Sequence, residues 1–408
     1  MIGFAKVLCE SVIVLVVLSF LVDTGIADQP IRIGGSFSLT GPYALFGQTQ
    51  LRGYELCVKQ TNESGGVLGR KIELIVEDDR SQAPTAVNIY KRLLSQRKVD
   101  AVFGPYSSTI TEEIADLTEK YQKPLIAAGA ASSSIFKKGR KFVFGVMSPT
   151  DVYFEGFIDL AAKRGLKTIA LINQDAIFPR ATIKGAQELA RKKNLQVVYF
   201  DEYPEGIKDF SDFLEKVRTA NPDVLAAATY FDDLIAISRQ LKDLDINPKM
   251  YGATVGVHLP KFYEVLGPTA EFVYGATQWE LELIRLRAGG FIPIAREYPG
   301  AEEFVEAYKK NFPETQFSHL TAASYAGGQI LLEAIKQAGS LDGKKVREAI
   351  LKMDFNTIYG AFRVNRNGLQ VAHKMMWFQW QDGKKVIVWP EELTANKPRF
   401  PTPAWDQR

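Results

Sequence analysis

Cysteine and histidine are scarce in this 408-residue chain, with two of the first and three of the second. Two cysteines cannot build a disulfide scaffold or a cysteine-rich zinc site. His258, His319 and His373 stand far apart, no spacing suggests a shared metal, and each reads as a surface or packing residue. An excess of charge of one sign is missing too. Lys and Arg number 50 against 47 Asp and Glu, net +3, which excludes an electrostatic nucleic-acid binder. Motifs for group chemistry are also absent. No Gly-x-Gly-x-x-Gly opens a helix after the first strand, and there is no P-loop, no Gly-x-Ser-x-Gly elbow and no His-Glu-x-x-His. The adjacent acids Asp78-Asp79 and Asp232-Asp233 read as solvated loop carboxylates rather than catalytic dyads. The expectation is a protein that is not an enzyme and uses neither metal nor cofactor.

What is present is a globular composition, 46% hydrophobic and 24% charged, at a length that suits two or three domains. Residues 1–27 stand apart from it. Lys6 begins a weakly positive start, Ser11 to Val22 run without a charge, and Gly25-Ile-Ala27 supply small residues suited to signal cleavage. The run falls short of the roughly 20 apolar residues a bilayer span needs. A cleaved export signal is expected, with an uncleaved anchor as the alternative. Cleavage would remove Cys9 and leave Cys57 alone, so the mature chain would be held by its core rather than by a disulfide.

Beyond residue 28, short β-branched runs alternate with amphipathic helical patterns. Strands are expected at 31–37, 71–77, 100–103 and 124–128, with helices at 47–62, after Pro84 and at 109–121. After Pro149 the rhythm restarts: helix 152–163, strand 168–172, helix 181–193, strand 196–200, helix 210–220, strand 223–227, helix 234–244. Such βα alternation implies parallel sheets covered by helices on both faces. The fold class is therefore α/β, with two similar Rossmann-like lobes divided near residues 147–151. Helices at 302–310, 321–337 and 344–352 follow, then a hairpin over 374–389 that turns at Asp382-Gly383. These pieces are expected to complete the two sheets. The tail after Pro390, with Pro398, Pro401 and Pro403, is expected to lie on the surface without regular structure.

An ordered set of landmarks lies in the first lobe: Ser38-Leu-Thr-Gly-Pro42, Phe46-Gly-Gln48, Asn62 to Lys71, Glu77 to Ser81, Gly104-Pro-Tyr-Ser-Ser108 and Lys120 to Pro124. Together they resemble the branched-chain amino-acid-type periplasmic substrate-binding proteins, the receptors of ABC importers. The resemblance spans about residues 29–390. It implies two lobes with parallel central sheets, joined by a three-stranded hinge and closing on a ligand. One lobe would comprise 28–147 plus 279–355, the other 148–278 plus 356–390, with 391–408 as a tail. It further implies a periplasmic monomer whose partners are a small-molecule ligand and a permease–ATPase complex. Rival readings lack parts: an α/β enzyme lacks its motifs, a DNA-binding regulator its leading domain, and a receptor module its membrane segment.

Eleven residues carry the expected site. Tyr106, Ser107, Ser108 and Thr109 follow a buried strand and open a helix, where unpaired N–H groups favour a carboxylate. Ala130, Ala131 and Ser132 follow the next strand and would close on the same head group by resemblance. Phe46, Phe178 and Tyr230 would form aromatic walls. At Thr254 the sequence departs from leucine-type relatives, which place there an acid that pairs with the ligand ammonium. A threonine cannot neutralise a buried cation, whose burial costs several kcal/mol. Asp151 and Asp175 are the possible substitutes. Trp279 and the aromatic set would suit a flatter or more apolar carboxylate than an amino acid.

Overall fold

The computed structural model of the protein describes residues 29–280, 298–313, 315 and 318–408. The expected export signal lies outside the described residues. The first sheet contains β1 (Ile31–Phe37), β2 (Ile72–Asp78), β3 (Ala101–Phe103), β4 (Leu125–Ala127) and β5 (Val143–Gly145). Its order is β2-β1-β3-β4-β5, and every pairing is parallel. Helices α1 (Ala44–Glu63), α2 (Ala83–Ser95) and α3 (Ser108–Tyr121) connect these strands. The three-residue strands β3, β4 and β5 are buried throughout, as strands covered on both faces should be. Pro84 sits in the first turn of α2, where its missing N–H costs nothing, and Gln122 ends α3 in the left-handed conformation.

The second sheet repeats that order. Its strands are β6 (Thr168–Gln174), β7 (Gln196–Tyr203), β8 (Val224–Ala228), β9 (Met250–Ala253) and β10 (Tyr274–Thr277), running β7-β6-β8-β9-β10 in parallel. Helices α4 (Glu155–Lys163), α5 (Ile177–Lys192), α6 (Ser211–Ala220), α7 (Phe231–Asp243) and α8 (Pro260–Leu266) cover it. Both sheets are thus doubly wound, with the strand order reversing beside β1 in one and β6 in the other. Ligands of such sheets bind at that switch point, beyond the carboxyl ends of the strands.

After the second sheet, α9 (Ala301–Asn311), α10 (His319–Ala338) and α11 (Gly343–Lys352) return to the first. Ser318 begins α10 with a capping box to Thr321, and the Asp342 carboxylate accepts from Lys345 N at the start of α11. Helices α1 and α10 cross closely because glycine sits at their contact. A Cβ on Gly53 would stand 2.3 Å from Thr321 O, and one on Gly328 would stand 2.5 Å from Cys57 Sγ. A short ribbon of β11 (Phe355–Thr357) and β12 (Gly360–Phe362), absent from the sequence reading, packs beside α10.

The chain then crosses again. The expected hairpin forms as β13 (Met376–Gln381), antiparallel to β10, and β14 (Lys384–Trp389), antiparallel to β13. Asp382 and Gly383 both take positive φ, 51 and 72°, the geometry of a tight hairpin turn. The tail lies largely on the surface, but it carries short 3-10 turns at Glu391–Leu393 and Trp405–Gln407 where no regular structure was expected. Arg399 N donates to Gln379, Asn247 donates to Pro403 O and the Trp405 indole donates to Ile246 O, so residues 399–405 are strapped along the second sheet's layer.

Three segments pass between the two sheets, and hydrogen bonds tie them together. Ser148 N donates to Gln278 Oε1 at 2.7 Å, Ser148 Oγ to His373 O at 3.0 Å, and His373 Nε2 pairs with Gln278 O at 3.1 Å.

Candidate functional site

The loops beyond the carboxyl ends of both sheets enclose one cavity with about 520 Å³ of free space, part of it continuous with solvent. On the first-sheet side, Asp79 organises the wall. It is fully buried and accepts from Ser36 Oγ, Ser38 Oγ and Ser81 N at 2.7–2.9 Å. Burial pushes its carboxyl up, and the three donors oppose that shift. It is therefore not the solvated loop acid its sequence context suggested. Phe46, on the first turn of α1, stacks on Tyr106 with ring centroids 4.7 Å apart.

Ser107 precedes α3, and its hydroxyl is buried without a protein partner. Ser108 is different. Its oxygen accepts from both Ala131 N and Ser132 N at 3.2 Å. A hydroxyl has two acceptor positions and one donor, so Ser108 retains only its proton to offer. The amides after β4 are thus spent on Ser108 rather than facing the cavity.

On the second-sheet side, Phe178 of α5, Tyr230 before α7 and Thr254 after β9 complete the wall. Tyr43 and Tyr230 meet across the cleft with centroids 5.2 Å apart, and Tyr153 meets Phe178 edge-on at the same distance. The Tyr230 and Thr254 hydroxyls are buried without protein partners. Behind Tyr230, buried Asp233 accepts from Tyr203 OH at 3.2 Å, and desolvation pushes its carboxyl up to about 6. This second acid is also not the solvated loop residue expected.

Of the expected site residues, Phe46, Tyr106, Ser107, Ser108, Ala131, Phe178, Tyr230 and Thr254 line the cavity. Thr109, Ala130 and Ser132 stand behind it; the Ser132 hydroxyl pairs with Ser134. Trp279 is buried beside Phe304, its indole donating to Ile358 O, and does not reach the cavity. Asp151 accepts from Ser133 and pairs with Lys137, while Asp175 pairs with Arg180; neither lines the cavity.

The structure also brings in residues the sequence did not nominate. Met147, Gln278 and Met375 come from the three crossing segments, His258 from the loop after β9 and His319 from the first turn of α10. Neither histidine is on the surface: His258 is 3% exposed and His319 9%, with ring centroids 4.1 Å apart. Thr277 Oγ1 stands 3.4 Å from His319 Nδ1, whereas neither ring nitrogen of His258 meets a protein partner. Burial, reinforced by Lys385, holds both imidazoles neutral; His319 is lowered to about 3 and His258 well below its ordinary value. The third histidine, His373, is lowered by burial to about 4.

Among the described residues lining the cavity there is no Asp, Glu, Lys or Arg. The buried Glu280 is nearby but engaged, accepting from Thr277 Oγ1 and pairing with Lys385. No group of three or more His, Cys, Asp and Glu among the described residues could hold a metal ion, and no described helix is long and apolar enough to cross a membrane.

The cavity's place at the switch points of two like sheets agrees with the comparisons to known proteins. Leu/Ile/Val-binding protein homolog 7 of Brucella melitensis is 27% identical over 96% of this chain and 99% of its own length. Homolog 8 of Brucella abortus is 25% identical over 94% of this chain and 96% of its own length. Among solved structures, a leucine binding protein from Thermotoga maritima superposes with a TM-score of 0.77 at 25% identity, covering 88% of this chain and 97% of that one. A branched-chain amino acid transporter substrate binding protein from Streptococcus pneumoniae, in complex with isoleucine, gives 0.77 at 20% identity over 88% and 99%. These relatives and neighbours are substrate-binding proteins. The periplasmic binding protein family matches residues 30–385, and the chain belongs to that family.

Proposed function

We propose that the protein is the extracytoplasmic receptor of an ABC importer, capturing an amino acid or similar small carboxylate between two lobes and handing it to a permease–ATPase complex. The observation that carries this reading is one cavity walled by the carboxyl ends of both sheets, with the Ser107 and Ser108 hydroxyls at the start of a 14-residue helix. A carboxylate there would accept from the Ser108 hydroxyl and the helix N-terminus, both suited to an anion. The lobes are 28–147 plus 279–355 and 148–278 plus 356–390, followed by the tail 391–408. Membership of β1–β5 in one sheet and of β6–β10, β13 and β14 in the other supports that division, except at 355–362, where the β11–β12 ribbon packs beside α10.

Ligand bridging both walls favours the closed arrangement only through contacts that the open one lacks. The protein acts as a monomer, exported by a cleaved signal, and releases its ligand unchanged. Small-angle scattering with and without ligand tests the mechanism: the radius of gyration contracts at saturation, and an unchanged value counts against closure. Native mass spectrometry of freshly isolated protein would identify carried-over ligand.

A second reading concerns the ligand. The uncharged lining favours aromatic or aliphatic acids over α-amino acids, because an ammonium would be buried without a charged partner. Tight calorimetric binding of leucine or valine would overturn it.

A further inference from the structure

The loop that leaves β9 carries an unusual concentration of idle polar atoms. Thr254 and His258 line the cavity from that loop, 1% and 3% exposed, and Thr254 Oγ1 and both ring nitrogens of His258 are buried with no hydrogen-bond partner among the described residues. A buried polar group left unsatisfied loses its bonds to water and gains none in return. Three such atoms on two residues that line one cavity therefore point to a ligand group that answers them. They are also uncharged. A neutral imidazole offers one N–H and one lone pair, and a threonine hydroxyl offers both roles. On the His258 side, the buried Glu280 pairs with Lys385, whose ammonium also donates to His258 O at 3.0 Å. The pair leaves no free carboxylate there to meet a ligand ammonium.

We infer that His258, assisted by Thr254, is the specificity-determining residue of the cavity, and that the ligand is a carboxylic acid bearing a neutral donor–acceptor group, such as a hydroxyl, where an amino acid carries its ammonium. The inference rests on the carboxylate-binding reading above. His319 contributes indirectly, its ring against that of His258 and its Nδ1 beside Thr277, so that the His258 ring is held at the cavity wall. A hydroxyl takes the imidazole N–H and returns its own proton to an acceptor, which satisfies the loop without moving charge into the core.

Six probes on two skeletons test this by calorimetry: phenylalanine, 3-phenyllactate and 3-phenylpropionate, and leucine, 2-hydroxyisocaproate and 4-methylpentanoate. On at least one skeleton the hydroxy acid should bind about tenfold or more tightly than the unsubstituted acid. The amino acid should bind more weakly than either. In His258→Phe, which keeps a ring of similar bulk without nitrogen, the affinity ratio of hydroxy acid to unsubstituted acid should fall to about one. His258→Gln, which keeps one donor and one acceptor, should restore part of the preference, a result that a merely structural role would not give. Should His258→Phe not fold, Thr254→Val read on the same pairs replaces it. Equal binding of hydroxy and unsubstituted acids, preference for the amino acid, or an unchanged preference in the variants overturns the assignment to His258 while leaving the carboxylate receptor intact. Binding of none of the six at millimolar concentration overturns both.

Discussion

Lowering the pH from 7.5 to 5 should destabilise this protein through its histidines, and the size of the effect follows from their burial. His319 and His373 are each 9% exposed, and desolvation lowers them to about 3 and about 4. A folded-state pKa below the unfolded value means stability that is fully present above about 6.5 and lost as pH falls toward the folded pKa. At pH 5 the two rings stay neutral in the fold but take up protons once unfolded, costing about 2 kcal/mol each. His258, lowered in the same direction by burial, His319 and Lys385, adds to the loss. Asp233 works the other way. Its carboxyl, raised to about 6, protonates in the fold before it would in the unfolded chain. That contribution is complete below about 3.9, is lost as pH rises through 6, and offsets about 1.4 kcal/mol at pH 5. Asp79, raised by burial, acts with it. The clean measurement is therefore a difference. Urea unfolding of the wild type and of the His319→Gln/His373→Gln double variant, at both pH values and fixed ionic strength, lets the carboxylates cancel. The wild type should lose about 4 kcal/mol more than the variant, a large part of the 5–15 kcal/mol that holds most domains. Parallel pH profiles for the two proteins would refute the reasoning.

Other substitutions probe the packing and the site. Gly53→Ala should destabilise by about 1–3 kcal/mol, because its Cβ would stand 2.3 Å from Thr321 O and force α1 and α10 apart; an unchanged midpoint in urea would show that the crossing can yield. Cys57 is buried, its thiol pushed up to about 12, so a thiol reagent should label it only as fast as the protein unfolds. Ser108→Ala should lower stability by about 1–3 kcal/mol by stranding the Ala131 and Ser132 amides, and should weaken carboxylate binding as well. Thermal unfolding with and without ligand separates the two effects.

The fold was largely legible because its signals are local. Buried three-residue strands such as Ala101–Phe103 and Leu125–Ala127 read as apolar runs, and Asp382-Gly383 marks a hairpin turn by residue type alone. What was missed has weaker local signals. The ribbon at 355–362 pairs only over three residues per strand, and the tail after Pro390 is fixed by single hydrogen bonds to residues far away in sequence. Neighbouring acids make the same point. Asp78 is half-buried in a turn that donates to it from Leu39 and Thr40, while Asp79 faces inward and is closed off from water. No pattern in the chain distinguishes these two side chains, because their fates depend on which face of β1 the next loop covers.

The cavity divides along the same line. Tyr106 to Ser108, Phe178 and Tyr230 follow strands directly, so a doubly wound reading carries them to the carboxyl edge where ligands bind. His258 and His319 obey no such rule. One lies several residues beyond β9 and the other begins a helix of the opposite layer; they meet only because the chain crosses between the sheets and returns. Their neutrality is likewise a product of assembly, since an imidazole loses its proton affinity only when both walls exclude water from it. Aromatic and serine positions could thus be nominated from strand ends, but the group that sets the charge of an acceptable ligand could not. The Thr254 position hinted at its character by what it lacked. A pocket lined by no acid must either admit an unpaired cation or select against one, and the buried neutral rings of His258 and His319 and the engaged Glu280 favour selection.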